Sequence, residues 1–339
     1  MQQSFLHIIS TMAIAVLAGG IGAAGLFQTD LNRYDRPLWD GQYQRGVEDG
    51  FTENLPFRST AIHIWNAFGY GVLGQTGDDV IAGQEGWLFT AEEFRPPEKY
   101  DFEAELLSVQ EVLTLYDIRL LPVIVPDKAR IYADVLDHRR PADLEARYHR
   151  LQSLLQRHGL PVPDLNQTLM AGRATAETYT KTDTHWSPEG ARIAAEAVAQ
   201  ALNVIPEGGF RTTISEPVPF NGDLLAFIET GPFRRFTGPL PEQIRSYTTF
   251  STAGADTLFG PSDAPLALIG TSFSARAEFN FSGFLSQETG LGLISYATEG
   301  EGPFLPMQRF LRALPEMVSL PEVAIWEIPE RYIYTEDMK

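Results

Sequence analysis

The chain has 339 residues, 44% of them hydrophobic and 11% aromatic, which is enough for one large domain or two modest ones with a real core. The 44 acidic and 26 basic residues leave a formal net charge of −18, which argues against a nucleic-acid partner and weakly against a strongly polyanionic substrate. The absence of cysteine excludes disulfides, thiolate zinc sites, iron–sulfur clusters and a cysteine nucleophile.

The first element is the apolar run FLHIISTMAIAVLAGGIGAAGLF at residues 5–27, which contains no charged residue. About 20 residues at ~1.5 Å each span a hydrocarbon core of ~30 Å. Residues 1–27 therefore read as an uncleaved signal anchor, or as a signal peptide cleaved after Ala24. Either places the rest outside the cytoplasm, on the periplasmic side of a bacterial inner membrane or free in the periplasm. Residues 28–50 are polar and mixed in charge, a tether followed by a lead-in helix. Residues 51–339 show no repeat and no long linker and read as one catalytic domain.

Within that domain the pattern is α/β. Residues 101–116 and 143–158 carry apolar positions at helical spacing, the second ending at Gly159. Residues 119–126 (RLLPVIVP), 265–270 (PLALIG) and 323–328 (VAIWEI) read as buried strands. Ser187-Pro188-Glu189 opens a further helix, with serine as N-cap and proline in the first helical position. Strands alternating with helices imply a mostly parallel sheet covered on both faces, with the active site at the strands' carboxyl ends.

Two segments carry chemistry. In Thr182-Asp183-Thr184-His185-Trp186, a carboxylate and an imidazole stand two residues apart, on one side of an extended chain. There the acid can fix the ring's tautomer and stabilise its charged form. No third metal ligand is evident, so no metal or other cofactor is expected. In Leu266-Ala267-Leu268-Ile269-Gly270-Thr271-Ser272-Phe273-Ser274, a strand runs into Gly-Thr-Ser with a helix following. This puts the Ser272 hydroxyl at a strand's carboxyl end, with the N–H groups of Ser272 and Phe273 available to a developing oxyanion. Ser274 is the competing nucleophile, further from the strand end. Ser272, His185 and Asp183 thus form a candidate nucleophile, base and orienting acid.

Secondary candidates are Asp127, Lys128 and Arg130 after the 119–126 strand, as substrate contacts or solvated cap charges. Trp186 is a sugar-stacking face or a core residue. Arg276 and Asn280 fall on one helix after the serine and line the cleft or supply an oxyanion donor. His63, His138, His149 and His158 lack matched partners and read as surface or packing residues.

The Asp-Thr-His-Trp and strand–Gly-Thr-Ser segments resemble those of the AlgJ/AlgX family of alginate O-acetyltransferases. So do Asn54–Arg58, Gly83–Phe89, Val125–Arg130 and Trp326–Arg331. The resemblance implies an SGNH-hydrolase-like, flavodoxin-like domain in which the Asp/His pair precedes the serine, a circularly permuted motif order. It implies an exopolysaccharide acceptor, alginate or another glycan. It also implies acetyl groups passed outward by a membrane-bound O-acyltransferase. The chain ends soon after Arg331, as AlgJ-type members do. An acetylesterase with the same triad, or a catalytically silent glycan-binding subunit, are the competing functions.

Overall fold

The computed structural model describes residues 19–29, 41–206, 208–228, 230–252 and 264–335. The first 14 residues of the 5–27 apolar run lie outside these; residues 19–28 are helical. Among the described residues no helix is long and apolar enough to cross a membrane. The chain divides into two compact units, Met1–Leu73 with Glu229–Gly238, and Gly74–Ile228 with Pro239–Lys339.

The first unit contains helices α1 (Gln42–Glu53) and α2 (Arg58–Leu73). On α2, Ile64, Trp65, Phe68 and Val72 are exposed at three- and four-residue spacing, so they form one apolar stripe. On the same helix, a Cβ at Gly71 would stand 2.9 Å from Thr237 Cγ2, so the two segments approach closely there.

The second unit opens with a small antiparallel pair, β1 (Val80–Ala82) and β2 (Leu88–Thr90). Helix α3 (Phe102–Leu115) is capped by Asp101, whose carboxylate accepts the Ala104 N–H at 3.0 Å. Strand β3 (Arg119–Val125) and helices α4 (Ala142–Arg157), α5 (Leu165–Gly172) and α6 (Pro188–Leu202) follow. Next come a hairpin of β4 (Phe210–Phe220) and β5 (Glu242–Ser251), then β6 (Leu266–Ile269), α7 (Phe281–Thr289), β7 (Leu293–Ser295), α8 (Phe304–Ala313) and β8 (Val323–Pro329).

Four strands form the central sheet, in the order β3-β8-β6-β7, all parallel. Side chains alternate across it, as a period of two requires. Leu121, Val123, Val125, Leu266, Leu268, Val323 and Ile325 face a core shared with α5, α6 and α7. Leu120, Ile124, Ala267, Ile269, Ala324, Trp326 and Ile328 face the core of α3, α4 and α8. The result is the doubly covered parallel sheet that the apolar runs predict.

The carboxyl ends of β3 and β8 are fixed by buried charges. Asp127 accepts from Arg140 and Arg147 at 2.6 Å each, and Glu330 accepts the Asp127 N–H at 2.8 Å and Arg130 Nε at 2.7 Å. Asp127 and Arg130 are therefore neither solvated nor facing a substrate; they tie the two strand ends together. Next to them, the Glu327 carboxylate on β8 accepts the Thr271 N–H at 2.7 Å and the Thr271 hydroxyl at 3.0 Å. Any Cβ at Gly270 would stand 2.4 Å from Glu327 Oε2, so only glycine allows this approach.

Burial raises the Glu327 pKa to about 7, against the lowering effect of the Thr271 bonds. A carboxyl whose folded pKa lies above its ordinary value of 4.5 contributes stability fully below pH 4.5 and loses it as pH rises through about 7. Thermal or urea unfolding of Glu327→Gln should show this directly. The wild type's advantage over the variant should shrink by on the order of 3 kcal/mol from pH 4.5 to 7 and stay flat above. A difference independent of pH would rule out the buried protonated carboxyl.

Candidate active site

The segment around His185 is a buried loop closed at its base. An isolated bridge pairs Tyr179 with Trp186, and the Ser187 N–H donates to the Thr178 carbonyl at 3.0 Å. Ser187 then caps α6, accepting the Gly190 N–H at 3.0 Å. Gly190 is obligatory, because a Cβ there would fall 1.9 Å from the Thr178 carbonyl oxygen. The chain between is not extended, as the two-residue spacing suggests. It bends so that Asp183 Oδ1 accepts both the His185 backbone N–H at 3.0 Å and the ring Nδ1–H at 2.6 Å.

Buried peptide groups need partners. Lys128 supplies three, donating from Nζ to the carbonyls of Leu88, Lys181 (2.9 Å) and Asp183 (3.0 Å). Glu242 on β5 accepts the N–H groups of Lys181 and Thr182 at 2.7 and 2.6 Å. Asp223 accepts the Thr184 N–H at 2.8 Å. Lys128 is 1% exposed, and burial lowers its pKa to about 8 although surrounding carboxylates oppose this. It is a brace for the loop and not a substrate contact.

The serine arrives from the other side. Strand β6 ends at Ile269, and Gly270-Thr271 leads into a four-residue helical turn, Ser272–Ala275. Ser272 Oγ lies 2.7 Å from His185 Nε2. With the Nδ1 proton directed at Asp183, Nε2 is left to accept the serine proton. The rings of Phe273 and Phe279 pack on the imidazole at 4.7 and 5.4 Å between centroids. Burial would raise the Asp183 pKa, but the His185 hydrogen bond and the charges of His185 and Arg276 outweigh it and hold the carboxyl well below its ordinary range. Ser274, the rival nucleophile, is 4% exposed, and the imidazole Nε2 is paired with Ser272 instead.

Other expectations are resolved or corrected. Of the two readings of Trp186 the core one holds: it is fully buried against Phe273 and Phe281 and offers no face to a sugar. Arg276 and Asn280 do not share a helix: the turn ends at Arg276, whose backbone is extended, and Asn280 is the left-handed N-cap of α7. Asn280 turns away from the serine and donates to Thr249 on the hairpin at 3.0 Å. Arg276 does reach the site, donating to Asp183 Oδ2 at 3.1 Å. The Phe273 N–H donates to Thr271 Oγ1 at 3.4 Å, which leaves Ser272 as the available backbone donor of the two predicted for an oxyanion.

Three residues were missed. Asp223 and Glu242 come from outside the motif, and no local pattern marks them. Glu327 had a signal, a lone acid within the apolar run VAIWEI. Asp183, His185 and Asp223 place one ligand atom each within 4.8 Å of one another, a set that could hold a metal ion. The donors are already committed, however. Nδ1 carries the proton given to Asp183, and the Arg276 guanidinium supplies the local positive charge.

Residues 80–330 match the family described as SGNH hydrolase-like domain, acetyltransferase AlgX. The chain is similar to a probable alginate O-acetylase AlgJ of Azotobacter vinelandii, 33% identical with 92% of this chain and 83% of that protein aligned. Its Pseudomonas aeruginosa counterpart is 34% identical, with 88% and 82% aligned. Among solved structures, the O-acetyltransferase domain of Pseudomonas putida AlgJ superposes with a TM-score of 0.65 at 30% identity, covering 76% of this chain and 93% of that one. The doubly covered parallel sheet, the serine at its carboxyl edge and these likenesses agree: the chain belongs to the AlgX-type family of SGNH hydrolase-like acetyltransferases.

Proposed function

We propose that this protein moves acetyl groups onto hydroxyls of alginate or a similar exopolysaccharide through an acetyl-serine on Ser272. The observation that carries this is the continuous relay from Ser272 Oγ to His185 Nε2 at 2.7 Å and from His185 Nδ1 to Asp183 at 2.6 Å. The alginate O-acetylase relatives support the choice of acceptor.

Ser272 Oγ attacks the donor's acetyl carbonyl while its proton passes to Nε2. The Ser272 N–H faces the developing oxyanion. Collapse breaks the bond to the donor's leaving group, which takes the proton from the imidazolium. A sugar hydroxyl then gives its proton to Nε2 and attacks the acetyl-serine, and Ser272 recovers a proton as it leaves. The order of motifs, histidine before serine, reads as a permuted SGNH arrangement.

The donor side is the membrane. Residues 5–27 are long and apolar enough to anchor the chain in the inner membrane with the enzyme in the periplasm, where a membrane-bound O-acyltransferase would hand acetyl groups to it. The uncharged stripe of Ile64, Trp65, Phe68 and Val72 suits a lipid interface.

Two measurements test these readings. With an acetyl ester donor and alginate oligosaccharides, Ser272→Ala should lose transfer about a thousandfold or more while keeping its melting midpoint. Ser274→Ala should stay within a few-fold of wild type; equal losses would remove Ser272 from the role of nucleophile. A reporter active only in the periplasm, fused after residue 73, should give signal. Signal from a cytoplasm-only reporter at that junction would reverse the orientation.

A further inference from the structure

The charges around His185 do not balance with Asp183 alone. Asp183 is fully occupied: Oδ1 holds the His185 N–H and Nδ1–H, and Oδ2 holds the Asp223 N–H at 2.8 Å and Arg276 Nη1 at 3.1 Å. Its negative charge is matched by the guanidinium. That guanidinium also stands 3.5 Å from His185 Nδ1, and with a proton on Nδ1 the two are donors facing each other. A positive ring forming there as Ser272 loses its proton meets one anion at 2.6 Å and one cation at 3.5 Å.

The remaining charge is Asp223. Its Oδ2 lies 3.7 Å from His185 Nδ1, while Oδ1 is fixed by the Thr184 N–H and hydroxyl at 2.8 and 3.1 Å. The segment lies close against the loop. A Cβ at Gly222 would lie 2.1 Å from the Thr182 carbonyl oxygen, so the chain is pressed onto the His185 loop. Other charged groups stand nearby, and Lys128 also acts on Asp183 and Asp223 through its charge. Lys128 is bound to three carbonyls, Glu242 to the Lys181 and Thr182 amides, and Glu278 faces Arg276 Nη2 at 3.4 Å. Burial and the nearby Asp183 charge raise the Asp223 pKa, as expected for a second carboxylate in one cluster.

We propose that Asp223 is a positioning residue that offsets Arg276 and so stabilises the imidazolium of His185, while Asp183 sets the ring's tautomer and orientation. This rests on the reading of His185 as general base. Asp223→Asn is the clean probe, because the amide oxygen still accepts from Thr184 and only the charge is lost. The pH dependence of kcat/KM would be measured with an acetyl ester donor for wild type, Asp223→Asn, Arg276→Gln and the double variant. The acidic limb should move to lower pH by roughly 0.5–1 unit in Asp223→Asn. It should move to higher pH in Arg276→Gln and lie near wild type in the double variant. The rate at pH 7 should fall several-fold in Asp223→Asn with no change in melting midpoint. Superimposable limbs for wild type and Asp223→Asn, even with a lower rate, would reduce Asp223 to a structural contact and overturn the proposal. A His185→Ala variant that keeps wild-type activity and the same limb would instead overturn the base assignment beneath it.

Discussion

The site depends on burying a loop that has no ladder of its own. Residues 180–185 lie in the interior outside any helix or strand, and every unpaired amide or carbonyl there would cost about 1–3 kcal/mol. The protein answers with charges. One ammonium collects two of the loop's carbonyls together with that of Leu88, and the carboxylates of Glu242, Asp223 and Asp183 collect amides. Burying Lys128 is itself costly, and its lowered pKa records that cost. The return is a loop whose backbone is held from three directions, so Asp183 and His185 stand in place before any substrate arrives.

The serine is held by separate means. Glu327 reaches across from β8 to the Thr271 N–H and hydroxyl, and Gly270 leaves room for it. The parallel pairing of β6 with β8 sets that reach, and the salt-bridged ends of β3 and β8 fix where Lys128 emerges. Both halves of the relay therefore refer to one rigid sheet edge. The energetic benefit lies in avoided reorganisation, since the donors, acceptors and ring need not move to make the 2.7 Å contact between Ser272 and His185.

Strands β3, β6 and β8 were legible in the sequence because parallel strands buried on both faces are continuous apolar runs, and helices α3, α4 and α6 were legible from their apolar spacing and caps. The β4–β5 hairpin was not. Its residues are largely exposed and include Pro217 and Pro219, so it shows neither an apolar run nor alternation. Ser272, His185 and Asp183, which the fold brings together, each sit in a short local motif and were legible for that reason. Lys128 was placed in the right neighbourhood with the wrong exposure, since burial of a lysine depends on carbonyls contributed by distant segments. The break after Ala275 left Arg276 at the site and sent Asn280 to the hairpin, a turn that helical spacing does not announce. Asp223 and Glu242 join the loop only through tertiary folding.

The central claim is that Ser272 carries an acetyl group destined for a sugar hydroxyl. It is tested most directly by acetylating the enzyme with an excess of ester donor, removing the donor, and chasing with water or with alginate oligosaccharides while following intact mass and the Ser272 peptide. The account predicts one acetyl group on Ser272 that persists in water and departs rapidly, onto the oligosaccharide, when the acceptor is added. Loss at the same rate with and without oligosaccharide, with free acetate as the product, would contradict it.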